Sequence, residues 1–269
     1  MSGLRLPTPG LALRASTLAY LGVMVVLPLV ALGVQASEKG AGAFVAAVRD
    51  PFAWHALKLT FATALVMVGI NAVMGTATAW VLVRYDFPGK GVMNALIDLP
   101  FAVPTVVTGL MLVALYGPNS ALGAVLARNG LGVIYQQPGI VLALLFVTYP
   151  FVIRTVQPVL LEVDRGEEEA AATLGATDWM TFRRVTLPTL FPSILTGTAL
   201  AFSRALGEFG SVVMVAGNRP LETKTGPMYV FGEIESGNRL GAMAVSAVLL
   251  ASSLGILVAL NLVQRVRKS

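Results

Sequence analysis

Two ionisable side chains lie inside one of the apolar segments of this sequence. Arg204 and Glu208 are four residues apart in segment 191–216, so a helix there would carry both on one face. An unpaired charge inside a membrane span is costly, which makes such residues functional candidates by default. A guanidinium offers several fixed N–H donors to an anion, whereas a mutual ion pair would only fix the packing of helices. The chemistry of the two residues leaves both interpretations open.

The composition explains why charges in this segment are exceptional. Hydrophobic residues make up 56% of the 269 residues and charged residues 12%, and the mean hydropathy is +0.77. These values are typical of membrane proteins and exclude a soluble enzyme. The sequence has no cysteine, which excludes disulfides, thiol catalysis and cysteine metal sites. The net charge of +5 comes from basic residues spread singly beside apolar runs, so it predicts membrane topology and no nucleic-acid binding.

The apolar segments predict an all-α membrane protein with six transmembrane helices in a single domain, 1–269. The predicted spans are 16–34, 56–83, 96–116, 139–156, 191–216 and 241–263. A signal peptide is the alternative for the first segment, but no small-residue cleavage site follows it. Pro100 and Pro104 predict a kink in the third span. Arg154, at the end of the fourth, is expected to reach the headgroups.

Neutral polar residues in the predicted spans are further candidates for a substrate pathway. Ser203 directly precedes Arg204, and Asn71 lies near the middle of the second span. An amide inside a membrane commonly bonds to a neighbouring helix. We favour this interhelical bond for Asn71, and a place on the pathway is the alternative.

The basic residues beside the spans predict the orientation of the chain. With both termini and the segment 157–190 in the cytoplasm, the cytoplasmic side receives more Lys and Arg than the opposite side. The segment 117–138 is then an external loop with a short interfacial helix. The segment 218–240 is an external loop of mixed charge.

The segment 157–190 is polar and predicts a pair of short helices outside the membrane. Its first half begins with Glu167–Glu169, whose carboxylates suit the first turn of a helix, and three alanines follow. Gly175 is expected to end this helix in the left-handed conformation.

The second half of this segment predicts another short helix. Thr177 or Asp178 is its expected N-cap. Its apolar face would hold Trp179, Phe182 and Val185. We expect Pro188 to close this helix. A helix pair of this kind suits insertion into a groove on another protein.

The spacing of this segment resembles the EAA loop of permease subunits of bacterial ABC importers. The matching residues are Glu169, Ala170, Ala171, Gly175, Val185, Leu187 and Pro188, with Val185 standing where the family usually has isoleucine. The resemblance implies that 157–190 is a coupling loop, which docks in a cleft of a cytoplasmic ATPase and passes its closing motion to the membrane helices. An ordinary cytoplasmic helical hairpin is the alternative.

A second motif resembles the permeases of the sulfate, thiosulfate and molybdate group. It covers 204–210 and is followed by Ala216-Gly217-Asn218. Looser similarity extends from about Ala95 to the carboxyl end and includes 98–105 and 149–160. The segment 149–160 and the overall length are most similar to the T-type subunits of sulfate importers. Molybdate permeases share the motif at 204–210, so this motif alone does not separate the anions.

The two resemblances imply a type I ABC importer permease fold and the import of sulfate, with thiosulfate as a further substrate. They imply four kinds of partner: a second, similar permease chain, two ATPase subunits, a periplasmic or extracellular sulfate-binding protein, and the lipid of the cytoplasmic membrane. The loop 218–240 would help to dock the binding protein. A molybdate or tungstate permease, or an ATP-independent anion transporter or channel, is the alternative.

The resemblance also implies where ATP and the anion bind. The sequence has no Gly-x-x-x-x-Gly-Lys-Ser/Thr phosphate loop, so ATP and Mg²⁺ are expected on the ATPase and no cofactor on this chain. Its single histidine, His55, is too little for a metal site. We expect the anion to pass near Arg204 and Glu208 to hold that arginine in place.

Overall fold

The computed structural model describes residues 9–37 and 40–268, and these contain helices and no strand. The amino-terminal residues 1–8, which the sequence analysis assigns to the cytoplasm, lie outside this part of the chain. The helices are α1 (Pro9–Leu21), α2 (Leu27–Ser37), α3 (Gly40–Arg49), α4 (Pro51–Arg84), α5 (Lys90–Ala102), α6 (Thr105–Tyr116), α7 (Ala121–Arg128), α8 (Gln137–Glu162), α9 (Arg165–Thr173), α10 (Asp178–Thr181), α11 (Leu187–Leu206), α12 (Gly210–Ala216), α13 (Gly226–Glu235) and α14 (Arg239–Lys268). Two π-helical turns, Gly22–Val26 and Phe182–Thr186, join α1 to α2 and α10 to α11.

Within the described residues, five helical stretches are long and apolar enough to cross a membrane. They are Ala12–Gln35, Pro51–Arg84, Gln137–Glu162, Asp178–Leu206 and Arg239–Gln264. The bent pair α5 and α6 makes a sixth span if it is counted as one. The chain is therefore an all-α membrane protein.

Helix α4 is the longest element, with 34 residues. It begins at Pro51 because the Asp50 side chain accepts hydrogen bonds from the backbone N–H groups of Phe52 and Ala53 at 2.9 and 3.1 Å. Helical structure thus begins before the predicted second span 56–83, since α3 precedes it and α4 already begins at Pro51. At about 1.5 Å per residue α4 is about 50 Å long and extends beyond a bilayer core of about 30 Å.

The third span is bent by 115° between α5 and α6. Val103 has an extended backbone, as sterics require of a residue before proline, and Pro104 opens the new helix. Pro100 lies inside α5 without ending it. The kink predicted from the two prolines is confirmed, and it lies at Pro104.

Helix α8 forms the centre of the bundle and packs against α4 on one side and α11 on the other. The close approach occurs around Val152, which is fully buried. A Cβ atom at Gly75 of α4 would lie 2.9 Å from the Val152 Cβ atom, and one at Gly197 of α11 would lie 2.7 Å from the Val152 Cα atom. Only glycine leaves room for the three helices to meet at this point.

Two predictions about the later spans are wrong. Helix α8 continues to Glu162, so Arg154 is not at its end but about 12 Å before it. The segment 191–216 is not one helix, because α11 ends at Leu206 and α12 begins at Gly210. There is no proline at this break, and Gly207 ends α11 there.

The segment 218–240 is not a loop throughout, since it contains α13. Met228 and Tyr229 of this helix are buried and pack with α4 and α14. This helix was not predicted from the sequence because its short apolar face lies among scattered charged residues. The helix predicted inside 117–138 is present as α7, which Ser120 caps through its hydroxyl group.

Candidate functional site

The loop between the fourth and fifth spans is built from α9, a turn and α10. The Asp164 side chain accepts a hydrogen bond from the backbone N–H of Gly166 at 2.8 Å and so caps the start of α9. Glu167 and Glu168 follow in the first turn, where partial positive charge from the backbone favours carboxylates. Gly175 has a φ of +86° and ends the helix in the left-handed conformation, as predicted.

The second half of the loop starts as predicted but ends differently. The Thr177 side chain accepts a hydrogen bond from the N–H of Met180 at 3.3 Å and caps α10. Pro188 does not close the helix, which continues from Asp178 to Leu206. The π-helical turn before Leu187 is wider than an α-turn, so it accommodates the proline ring and its missing N–H. The fifth span and the second half of the loop are therefore one continuous helix.

The residues of the EAA-type pattern lie mostly on the surface of this loop. Glu169, Ala170, Gly175 and Pro188 are exposed, and Ala171, Val185 and Leu187 are half-buried. Two apolar side chains beside them are also exposed, Leu174 at 89% and Trp179 at 66%. Large exposed apolar side chains on an otherwise polar loop make this loop a candidate surface for another protein.

One carboxylate of α9 points into the chain. Glu168 accepts hydrogen bonds at Oε1 from the Arg84 guanidinium at 2.6 Å and from the Thr186 hydroxyl at 2.8 Å. Arg84 is the last residue of α4 and its side chain is 10% exposed. In the sequence Glu168 is marked only as one of three carboxylates at the start of a helix, and nothing there pairs it with Arg84. The charged end of an apolar span was the available signal for Arg84.

The predicted pair in the fifth span is present. Arg204 and Glu208 are 2.7 Å apart, with side chains that are 37% and 1% exposed. Glu208 lies beyond the end of α11, and its Oε1 accepts hydrogen bonds from the backbone N–H and the hydroxyl of Ser211, both at 2.9 Å. Glu208 is thus fixed by the start of α12 as well as by Arg204. Ser203 donates a long hydrogen bond of 3.4 Å to the carbonyl of Ser253 in α14.

A second arginine inside the spans has a different environment. Arg154 makes five hydrogen bonds of 2.6–3.2 Å, two to the Asp98 carboxylate, two to Asn94 and one to Gln157. These bonds use all of its N–H groups. Arg204 forms an ion pair only with Glu208 in the part of the chain that the structure describes, so N–H groups of Arg204 remain available.

Asn71 joins the second and fourth spans. Its Nδ2 donates to the Thr148 hydroxyl of α8 at 2.9 Å and contacts the Met67 sulfur at 3.2 Å. The side chain is buried, and its Oδ1 has no hydrogen-bond partner. Asn71 also lines an apolar cavity of about 620 Å³ between α4, α5, α6 and α8. The interhelical bond that we favoured is therefore present.

The sequence matches one family model over most of its length. Residues 71–268 match the family described as binding-protein-dependent transport system inner membrane component. Two similar relatives are named sulfate transport system permease protein CysT. The relative from Synechocystis is 45% identical over 93% of this chain and 87% of its own length. That from Escherichia coli is 41% identical over 95% of this chain and 93% of its own.

Solved structures share the fold at low sequence identity. A chain from the structure of a bacterial alginate ABC transporter in complex with an alginate pentasaccharide-bound periplasmic protein superposes with a TM-score of 0.74 at 18% identity, covering 94% of this chain and 93% of that chain. A chain of an amino acid ABC transporter gives a TM-score of 0.54 at 21% identity, covering 83% and 94%. At these identities the similarity shows the fold alone.

Proposed function

The chain belongs to the family of binding-protein-dependent transport system inner membrane components, and we propose that it is the permease subunit of an ATP-driven importer of sulfate. It has the type I ABC importer permease fold and is a multi-pass membrane protein. The observation that carries the sulfate assignment is the identity of 41–45% with relatives named as sulfate permeases, over more than nine-tenths of the chain. We propose thiosulfate as a further substrate.

We propose that the loop formed by α9 and α10 docks on a cytoplasmic ATPase subunit. The exposed Leu174 and Trp179 give it an apolar surface beside the acidic first turn of α9. Two ATPase subunits would bind ATP and Mg²⁺, and this chain would hold no cofactor. A second permease chain and an external sulfate-binding protein would complete the importer. The alginate ABC transporter of similar fold was solved in complex with a periplasmic protein, which supports a binding-protein partner.

In this proposal both termini and the loop lie on the cytoplasmic side of the cytoplasmic membrane. The balance of Lys and Arg beside the spans supports this orientation. It also brings the exposed surface of α9 and α10 to the side where ATP is available.

Sulfate would meet Arg204 on its way through the membrane. Unlike Arg154, Arg204 has N–H groups to spare, and its 37% exposure leaves it accessible. Glu208 is buried and bonded to Ser211 on its other oxygen, so it orients the guanidinium and would not repel the anion directly. ATP binding to the partner supplies the differential free energy that moves the helices between two states.

The test is uptake of radiolabelled sulfate by cells that lack their own importer and express this chain with its partners. ATP-dependent uptake that excess unlabelled thiosulfate inhibits, and molybdate does not, would support the proposal. Uptake abolished by molybdate alone would favour a molybdate or tungstate permease. Uptake that persists without the ATPase would favour an ATP-independent transporter.

A further inference from the structure

The loop is covalently continuous with only two of the membrane spans. α9 follows α8 after Val163 and Asp164, and α10 runs directly into α11. No residue of α9 is buried, so packing alone holds this helix weakly against the bundle. The second span, α4, has no covalent link to the loop, although it packs against both α8 and α11.

A buried ionic contact joins the end of α4 to the loop. The guanidinium of Arg84 is 2.6 Å from Oε1 of Glu168, and Thr186, which is fully buried, donates to the same oxygen at 2.8 Å. One carboxylate oxygen therefore connects α4, α9 and the start of the fifth span. The side chains of Arg84 and Glu168 are only 10% and 20% exposed, so solvent screens this pair much less than a surface pair.

An aromatic contact joins the same elements a second time. Trp80, one turn before Arg84, meets Phe182 edge to face at 5.3 Å, and Phe182 stacks on Trp179 at 5.6 Å. The Arg84 guanidinium lies 5.1 Å from the centre of the Trp80 ring. The aromatic and ionic contacts thus meet at the end of α4, where the Arg84 guanidinium takes part in both.

We infer that Arg84, Glu168 and Thr186 form a clamp through which movement of the loop also moves the second span. α4 is an unbroken helix of 34 residues with no internal proline, so a displacement at Arg84 carries along its length. Such a displacement would reach Asn71, which bonds to Thr148 of α8. Arg84 and Glu168 act as positioning residues for transport. The inference rests on the proposed function, because it assigns the path by which the ATPase acts on this chain.

The test compares transport with ATP hydrolysis in the complete importer reconstituted in vesicles. Glu168→Gln and Arg84→Gln should each lower sulfate uptake about fivefold or more. ATP hydrolysis stimulated by the binding protein should stay within about twofold of wild type, since the docking surface is intact. The exchange Arg84→Glu with Glu168→Arg should restore part of the uptake. Variants with the wild-type ratio of uptake to hydrolysis would overturn the clamp.

Two matched controls separate the clamp from the general loss of a charge. Glu162→Gln removes an exposed carboxylate at the end of α8, outside α9 and α10, and should leave uptake unchanged. Asp86→Asn breaks an ion pair at the same end of α4, in which the hydrogen bond from Lys90 lowers the pKa of Asp86. Asp86 is fully exposed, so this change should also be silent.

A distance measurement tests the clamp where a variant fails to assemble. The sequence has no cysteine, so spin labels can be placed at Asp86→Cys and Glu167→Cys alone. If the clamp holds, the distance between the two labels has one narrow distribution, which is the same in the nucleotide-free importer and in the importer with ATP trapped on its ATPase. Thr186→Val, which keeps the charges, should broaden it. A distance that changes between the two states in the otherwise wild-type importer would contradict the clamp.

Absence of any ATP-dependent sulfate uptake by the wild type would instead refute the proposed function.

Discussion

The arginines of the membrane spans differ in how many of their N–H groups are already bonded. All five N–H groups of Arg154 donate hydrogen bonds, to Asp98, Asn94 and Gln157. Arg204 is paired with the buried Glu208 and keeps donors available. An anion could bind Arg154 only by displacing its existing charge-assisted hydrogen bonds. We therefore expect a structural role for Arg154 and an anion-binding role for Arg204.

We predict that Arg204→Gln lowers sulfate uptake at least about tenfold, because the anion loses a charged, multidentate donor. Arg204→Lys should retain more uptake than Arg204→Gln, since it keeps the charge and loses the planar fork. The measurement is the initial rate of radiolabelled sulfate uptake at several sulfate concentrations. Because the change leaves the buried Glu208 without its ion-pair partner, some loss of thermal stability is expected, and uptake is normalised to the amount of importer that co-purifies with the ATPase. Wild-type uptake by Arg204→Gln would remove this residue from the pathway.

Arg154→Gln should act mainly on stability. It leaves Asp98 without its bidentate partner and breaks the connection between α5 and α8. We expect the free energy of unfolding to fall by about 2 kcal/mol, which is less than for a fully buried pair because both side chains are partly exposed. The Tm of the solubilised protein should fall by several degrees. An unchanged Tm together with lost uptake would mean that Arg154, too, contacts the anion.

At the scale of elements, the loop depends on one backbone conformation. Gly175 has a φ of +86° between α9 and α10. A β-branched residue there is strained by about 1–2 kcal/mol. We predict that Gly175→Val tilts α9 relative to α10 and lowers co-purification of the ATPase, and with it uptake. Gly91→Ala is the control, because Gly91 lies in a helix with open space beside it. Normal co-purification by Gly175→Val would show that the loop tolerates another path.

Much of this element-level arrangement could be predicted from the sequence, because its causes are local. The carboxylates of α9, the N-cap Thr177 and the left-handed Gly175 each act within a few residues. The continuation of the helix through Pro188 could not be predicted. It depends on a π-helical turn that the buried Thr186 stabilises through Glu168, a contact across 18 residues.

In the candidate site, too, contacts between residues close in sequence could be predicted and long-range contacts could not. The approach of Arg204 to Glu208 follows from a spacing of four residues and was predicted. The bonds of Arg154 to Asp98 and of Arg84 to Glu168 join residues 56 and 84 positions apart. A single sequence marks these residues only as charges in or beside apolar spans, and it does not tell which partner each will meet.

At the scale of the whole molecule, the spans differ in how deeply they are embedded. No described residue of the stretch Ala12–Gln35 is buried, whereas more than half of the most apolar part of Gln137–Glu162 is. The first span therefore lies at the periphery of the bundle, and α8 organises its centre. Lipid or a partner chain must cover the exposed apolar side chains of the first span, such as Leu18 and Val25.

Whole-molecule orientation can be tested with single cysteines, because the native chain has none. Asn129, after α7, and Glu167, in α9, are both exposed, and the long helix α8 separates them. A span of 26 residues is about 39 Å long, enough to place its ends on opposite sides of the membrane.

We predict that a membrane-impermeant maleimide labels Asn129→Cys in intact spheroplasts and labels Glu167→Cys only after lysis. The reason is that Lys and Arg are concentrated beside the loop, and positive residues are retained in the cytoplasm. Both variants should transport sulfate, which confirms that the labelled chains are folded. The reverse labelling pattern would place the loop outside the cell, where no ATPase could reach it, and the coupling role of α9 and α10 would fail with it. Labelling of both sites in intact spheroplasts would contradict α8 as a spanning helix.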